Sequence, residues 1–202
     1  MGRIIFDFPE GATPIHDASG LKISWVKNLE DLNGIEAENI SLAQRKYLRG
    51  PIKDPVFWFD VKTLSQIHYD MFGNVWDWAG KLRKEITSIG IHPSLIPSSL
   101  AIFCKEVVSW YYEPTALTYL EKAARIHHKL VSIHLFENGN GRFSRLIADR
   151  CLIAWKCQYP LWPHNLHHLG EDRSDYLLAL KEADRGNYEP LLALMQKFGA
   201  SN

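Results

Sequence analysis

Between His134 and Arg145 the chain reads HLFENGNGRFSR, and apolar helical stripes both enter and leave this stretch. Upstream, Leu120, Ala123, Ala124, His127, Leu130, Val131 and His134 recur at spacings of three and four, the mark of a helix with one buried face. Downstream, Phe143, Leu146, Ile147, Cys151 and Ala154 do the same. The Asn138-Gly139-Asn140-Gly141 run between them tolerates positive φ, because glycine lacks a Cβ and asparagine enters the left-handed region. The chain must therefore reverse sharply here, and the second helix is expected to run from about Arg142 to Trp155. A Gly-rich turn feeding a helix start leaves backbone N–H groups free and adds about half a positive charge, which suits an anion. Arg142 and Arg145, three apart, add two guanidinium groups able to fork onto phosphate oxygens. His134, just before the turn, is the side chain best suited to take a proton near neutral pH. A base beside a phosphate cradle points to transfer of a phosphate-containing group onto a hydroxyl.

These residues resemble the signature of Fic-domain proteins, H-x-F-x-[D/E]-G-N-G-R-x-x-R. His134, Phe136, Gly139, Asn140, Gly141, Arg142 and Arg145 match it, and Asn138 stands where the acid belongs. The segment Val75-Trp76-Asp77-Trp78-Ala79-Gly80-Lys81-Leu82-Arg83 resembles the W-A-G-x-x-R stretch of the same family, with tryptophans read as core anchors. The opening Phe6-Asp7-Phe8-Pro9-Glu10-Gly11-Ala12-Thr13-Pro14 resembles the Fic subgroup called mobile mystery protein B.

The resemblance implies a mainly α fold, a Fic-like helical bundle with one short β-hairpin flap beside the active-site loop. It implies transfer of AMP from ATP to a Ser, Thr or Tyr hydroxyl of a target protein. His134 would be the general base, while Phe136 plugs into the core and fixes the loop. Asn140 and the backbone of Gly139 to Gly141 would face charge developing on the α-phosphate. Arg142 and Arg145 would bind the outer phosphates. Tyr176, in a closing segment that also resembles the family, would wall the adenine. Thr87, Ser88 and Ile89 lie in the β-branched run 86–91, the expected flap, which would hold a target segment by strand addition. The family's inhibitory pattern, [S/T]-x-x-x-E-[G/N], is matched at its end by Glu38-Asn39, but Gly34 occupies its first position. Glu38 therefore reads first as solvent-facing; if it did reach Arg145, it would take the γ-phosphate position.

Position 138 bears on the metal. In the family its carboxylate holds Mg²⁺ against the phosphates, and Mg²⁺ prefers carboxylates to a neutral amide oxygen. Asn138 thus implies weakened Mg²⁺ binding, mainly through ATP, or a different donor, or a low-activity nucleotide-binding regulator. Phosphate transfer, implied by a relative with Lys in place of the second loop glycine, is disfavoured by Gly141. With no complete inhibitory motif in the chain, the resemblance implies a separate antitoxin-like protein and a toxin–antitoxin setting.

At 202 residues, with 46% hydrophobic and 23% charged residues, the chain reads as one soluble domain, 28–202, preceded by an arm, 1–27. In the arm Ile4, Phe6 and Phe8 alternate, and a short strand is expected near Leu21–Val26. A formal net charge of zero argues against nucleic-acid or anionic-membrane binding. No span-length apolar run and no leader pattern point to the cytoplasm. Cys104, Cys151 and Cys157 are too few and wrongly spaced for a disulfide frame or a zinc knuckle. His164, His167 and His168 lack a carboxylate or thiol at ligand spacing. Further helices are expected over 29–49, capped by Asp31 or Asn33, and over 64–72, 98–112, 116–134, 172–183 and 189–198. The oligomeric state is left open.

Overall fold

A computed structural model of the chain describes residues 20–163, 166 and 170–199, so Ile4, Phe6, Phe8 and the arm's opening lie outside the described residues, as do His164, His167 and His168. The described residues form seven α-helices and two 3₁₀ turns. α1 spans Leu29–Leu48, α2 Val61–Phe72, α3 Ile96–Tyr112, α4 Tyr119–Ile133, α5 Asn140–Ala154, α6 Glu171–Asp184 and α7 Glu189–Lys197. The 3₁₀ turns lie at Pro55–Phe57 and Pro93–Leu95.

All seven expected helices form, and the ends differ where caps decide. Asn28, not Asp31 or Asn33, caps α1, its side chain accepting from Asp31 N at 2.8 Å. Asp60 starts α2 three residues before Leu64 by accepting from the Thr63 backbone and hydroxyl. At α4, Thr118 and Glu121 form a reciprocal capping box, which satisfies two N–H groups that would otherwise lack partners. α3 starts at Ile96, two residues before the expected serines, and no side chain caps it.

Helices α4 and α5 form the centre. Their inner faces, with Ile126, Leu130, Ile133, Phe143, Leu146 and Ile147, pack on α2 and α3 in the larger core. Their outer faces, with Ala123, Ala124, Ala148 and Leu152, meet α6 and α7 in a second cluster. The small alanines there let Tyr176 and Leu180 of α6 approach closely. Trp76 is fully buried and stacks on Trp78, so the tryptophans of the 75–83 segment serve the core.

No strand forms among the described residues, and two expectations change accordingly. At the end of the arm, Leu21 makes one antiparallel bridge with Trp76, flanked by Lys22 N to Val75 O at 2.8 Å and Asp77 N to Gly20 O at 2.9 Å. Residues 88–91 form bends, and 86 and 87 have no regular structure, rather than a hairpin. The physical reason is local: the ends of this segment are held by a side chain, Arg83, which takes the carbonyls of Glu85 and Ile91 at 2.8 and 2.5 Å, and not by a strand ladder.

The capping box gives a direct test. Thr118→Ala removes the two hydrogen bonds of the Thr118 hydroxyl, leaves the Thr118 N–H on Glu121, and is expected to lower unfolding stability by ~1 kcal/mol, read as a lower urea midpoint at unchanged slope.

Candidate active site

His134 is the residue that ends α4. It adopts the left-handed conformation, φ 56° and ψ 70°, and its N–H still bonds to Leu130 O at 3.2 Å. A non-glycine residue in this region costs roughly 1–2 kcal/mol, so the surroundings must hold it there. They do so through Arg83, whose Nε donates to the His134 carbonyl at 2.6 Å. Its main-chain N–H donates to Leu135 O at 2.9 Å. The imidazole itself is 5% exposed. Burial, then the Arg83 charge, push its pKa down to about 4, against a hydrogen bond to the Val131 carbonyl. Sequence alone leaves open whether the buried seam or the helix end decides its charge; burial outweighs the helix end and favours the neutral ring at pH 7, the form that can accept a proton.

The loop that follows is closed by two amides. Asn140 binds the backbone of Phe136 at both ends, accepting from Phe136 N at 3.0 Å and donating to Phe136 O at 2.7 Å. At 2% exposure this amide is engaged by the loop's own backbone and holds the loop closed. Phe136 is fully buried, as expected of a plug, and lies against His68 with ring centroids 3.7 Å apart.

His68, on α2, is a residue the sequence reading missed. Gly80 N–H donates to its Nδ1 at 3.0 Å, so the other nitrogen, Nε2, carries the proton and donates to Asn138 O at 3.0 Å. Burial, with the nearby Arg142 charge, lowers its pKa to about 3 despite the Asn138 carbonyl. A signal was available: Leu64, Ile67, His68, Met71 and Phe72 form one buried stripe, and a histidine inside it needs partners.

Gly139 opens α5 with φ 78° and no side-chain cap. A Cβ there would come within 2.5 Å of the Phe72 ring, so only glycine fits. The first-turn N–H groups of α5 lack intrahelical partners, and Arg145 stands beside them. A Cβ built on Gly141 would meet the Tyr176 hydroxyl at 3.7 Å and Arg145 Nη1 at 3.8 Å. The Arg145 guanidinium rests over the rings of Tyr176 and Trp162, 5.5 and 5.8 Å from their centroids. Tyr176 in turn bonds His127 Nε2 at 3.0 Å, and His127 is the buried, hydrogen-bonded core histidine its stripe position leads one to expect.

Arg142 goes the other way. Its Nη1 pairs with Glu36 Oε2 at 2.6 Å, its Nη2 faces Asn138 Oδ1 at 3.5 Å, and its guanidinium covers the Phe72 ring. Glu36, 3% exposed, also accepts from Trp76 Nε1 at 2.7 Å. The α1 glutamate that reaches a motif arginine is thus Glu36, and the arginine is Arg142; Glu38 is exposed and does not reach Arg145. The signal was again a stripe, Leu32, Glu36, Asn39 and Ala43, on which Glu36 lies and Glu38 does not.

The residues do not fit a divalent ion held by the protein. Asn138 Oδ1, the only oxygen position 138 offers in place of a carboxylate, accepts from Gly139 N at 2.5 Å and faces Arg142, so it is aimed at donors. Among the described residues no three His, Cys, Asp or Glu side chains converge on one point.

Segment 85–91 lies against His134. A Cβ on Gly90 (φ 107°) would sit 2.4 Å from His134 Cβ and 2.7 Å from Arg83 Nη2. Thr87 and Ile89 are half-buried and joined by a 2.6 Å bond from Thr87 Oγ1 to Ile89 O, while Ser88 is exposed.

The buried rings predict an acid-labile fold. His68 and His127, each near 3, and His134, near 4, stay neutral when folded but take up protons near 6.5 when unfolded. Their contribution is present above pH 6.5 and lost as pH falls toward 4. Asp149 opposes them: burial raises its pKa to about 8, so the folded state holds a proton there that the unfolded chain releases above pH 4. The net difference approaches two protons, or ~3 kcal/mol per pH unit below pH 5.5. Urea midpoints are expected to peak near pH 7 and fall on both sides; a flat profile from pH 7 to 5 would show that the rings are not held neutral.

Residues 58–152 match the family model described as Fic/DOC family. The chain is 29% identical over 153 residues to the protein adenylyltransferase Fic of Aedes aegypti, covering 74% of this chain and 30% of that protein. It is 29% identical over 140 residues to the protein adenylyltransferase fic-1 of Caenorhabditis elegans, covering 68% and 26%. This chain therefore spans about a third or less of the length of these curated relatives. Among solved structures, the BepC protein of Bartonella tribocorum with bound AMPPNP superposes with a TM-score of 0.66 at 18% identity, covering 96% of both chains. The N-terminal Fic domain of a Bartonella quintana effector with bound ADP gives 0.62 at 20%, covering 88% and 89%. The match to the Fic/DOC family model runs from Trp58 to Leu152, across the elements that build and brace the loop.

Proposed function

We propose that this chain is a protein adenylyltransferase that moves AMP from ATP onto a side-chain hydroxyl of a target protein. The observation that carries the reading is the neutral, buried His134, held by Arg83 at the entrance to a loop that opens onto the uncapped start of α5. The relatives named as protein adenylyltransferases support it, and the neighbours solved with AMPPNP or ADP agree with ATP as donor.

In the reaction, the target hydroxyl oxygen attacks the α-phosphorus and its proton passes to the His134 imidazole. The bond from the α-phosphorus to the bridging oxygen breaks, and pyrophosphate leaves. The first-turn N–H groups of α5 and Arg145, seated on Tyr176 and Trp162, offset charge on the phosphates. Segment 85–91, with Thr87, Ser88 and Ile89, presents the target's backbone. Because the protein offers no ready metal cage among the described residues, any Mg²⁺ arrives bound to the nucleotide.

A second reading, a low-activity or self-restrained form of the same enzyme, is favoured by one observation: Glu36 already occupies Arg142. A phosphate must displace or share that carboxylate. A separate antitoxin-like inhibitor, suggested by the incomplete inhibitory pattern around Glu38, and a cytoplasmic setting complete the proposal; among the described residues no helix is long and apolar enough to cross a membrane.

Lysate incubated with ATP labelled on the α-phosphate should yield labelled protein, and γ-labelled ATP should not. His134→Ala should lower the transfer rate by roughly 10²- to 10⁴-fold. Label from the γ-phosphate, or undiminished transfer by His134→Ala, would overturn the assignment. Glu36→Gln keeps an acceptor for Trp76 but removes the charge on Arg142. It should raise transfer several-fold and tighten AMPPNP binding in calorimetry. Unchanged affinity would show that Glu36 does not compete for the nucleotide.

A further inference from the structure

Arg83 has more partners than its place in a core-forming segment requires. It is 3% exposed. Nε donates to His134 O at 2.6 Å, Nη1 to Glu85 O at 2.8 Å, and Nη2 to Ile91 O at 2.5 Å and Ile133 O at 3.5 Å. Its own N–H takes Leu135 O at 2.9 Å. Three consecutive carbonyls, 133 to 135, leave the end of α4 with no further helical turn to bond them, and all three are met by this one residue. The same guanidinium closes segment 85–91 by its two ends. The fit leaves no slack, since a Cβ on Gly90 would overlap both His134 Cβ and Arg83 Nη2.

We propose that Arg83 is a positioning residue for the transfer reaction: one buried guanidinium fixes the spacing between the base, His134, and the segment that presents the target hydroxyl. This rests on the adenylyltransferase reading for its chemical meaning, but the geometric claim does not depend on it. A lysine cannot reproduce the fork, because its single ammonium reaches from one point where Arg83 bonds from three nitrogens. Arg83→Lys therefore keeps the charge and loses the geometry. Arg83→Gln loses the charge and retains two donors. The charges that meet at this point are Arg83 itself, which faces His134, and Glu137, which faces Arg83.

The test uses the full chain and Arg83→Lys, Arg83→Gln and Gly90→Ala. The last pushes the segment off His134 without altering charge. Three quantities are read: hydrogen exchange of the 85–91 amides, AMPPNP affinity by calorimetry, and AMP transfer to lysate protein from α-labelled ATP. Expected for Arg83→Lys and Gly90→Ala are at least tenfold faster exchange in 85–91, AMPPNP affinity within twofold of the native chain, and transfer at least tenfold slower. In Arg83→Gln the His134 ring, followed by NMR, should titrate at higher pH than in Arg83→Lys, a difference that a purely structural role would not produce. Exchange in 85–91 unchanged in both Arg83→Lys and Gly90→Ala overturns the proposal. So does a loss of AMPPNP affinity equal to the loss of transfer, which would mean that the whole loop is damaged. If the native chain transfers no AMP, the adenylyltransferase reading fails while the exchange arm still decides the clamp. If Arg83→Lys does not fold, Gly90→Ala decides it.

Discussion

A loop buried inside a protein must find partners for its own backbone, because water cannot supply them. The six residues from His134 to Gly139 are such a loop, with Leu135 and Phe136 fully buried. Arg83 takes the carbonyls of His134 and Leu135. Asn140 takes both polar groups of Phe136. His68 takes the carbonyl of Asn138, and the Asn138 side chain takes the N–H of Gly139. With these bonds made, the chain reverses between α4 and α5 in one shape, with His134 left-handed at one end and Gly139 left-handed at the other. Remove one of them and an unpaired buried group costs roughly 1–3 kcal/mol, enough to let the loop open. The site is rigid because its backbone is satisfied by side chains from α2, the 75–83 segment and α5 together.

Much of this was legible in the sequence, and the limits were physical ones. The loop could be read because its residue types have few other uses: an Asn-Gly-Asn-Gly run between two apolar stripes leaves little freedom. Helices could be read from period, but their ends could not, since a cap is decided by which polar side chain faces the open N–H groups. Asn28 and Asp60 do so, while Asp31 lies one turn inside α1 and donates its N–H to Asn28. The hairpin expected over 86–91 is not seen, because β-branched residues report a preference for extended backbone and say nothing of a partner strand. Here an arginine closes the segment instead. Glu36 and His68 were overlooked for one shared reason: a family pattern drew attention to Glu38, and loop chemistry to His134, when burial on a helical stripe marks the polar residues that must be paired.

The electrostatics of the site follow from where those buried polar residues lie. Arg142 and Arg145 share a helical turn, yet they are not equivalent. Arg145 is supported by aromatic faces, which attract a cation without neutralising it. Arg142 is neutralised by a carboxylate from α1, a helix that lies outside the span matched to the family. One guanidinium of the turn is therefore paired with a carboxylate, and the other is not.

Asn138 fits this pattern. Its amide oxygen meets Arg142 at Nη2, while the shorter Glu36 pair uses Nη1. An aspartate here would give Arg142 two carboxylate partners and leave less of its charge for a phosphate. Glu36 thus supplies at this guanidinium the negative charge that position 138 lacks, but from a buried position fixed by Trp76. The two positions are coupled through Arg142, so the first partner of an acid placed at 138 would be the arginine four residues away. Only with Glu36 also neutralised would a carboxylate at 138 stand beside an arginine whose charge is otherwise unspent, and even then it would have to turn from that arginine to face a cation.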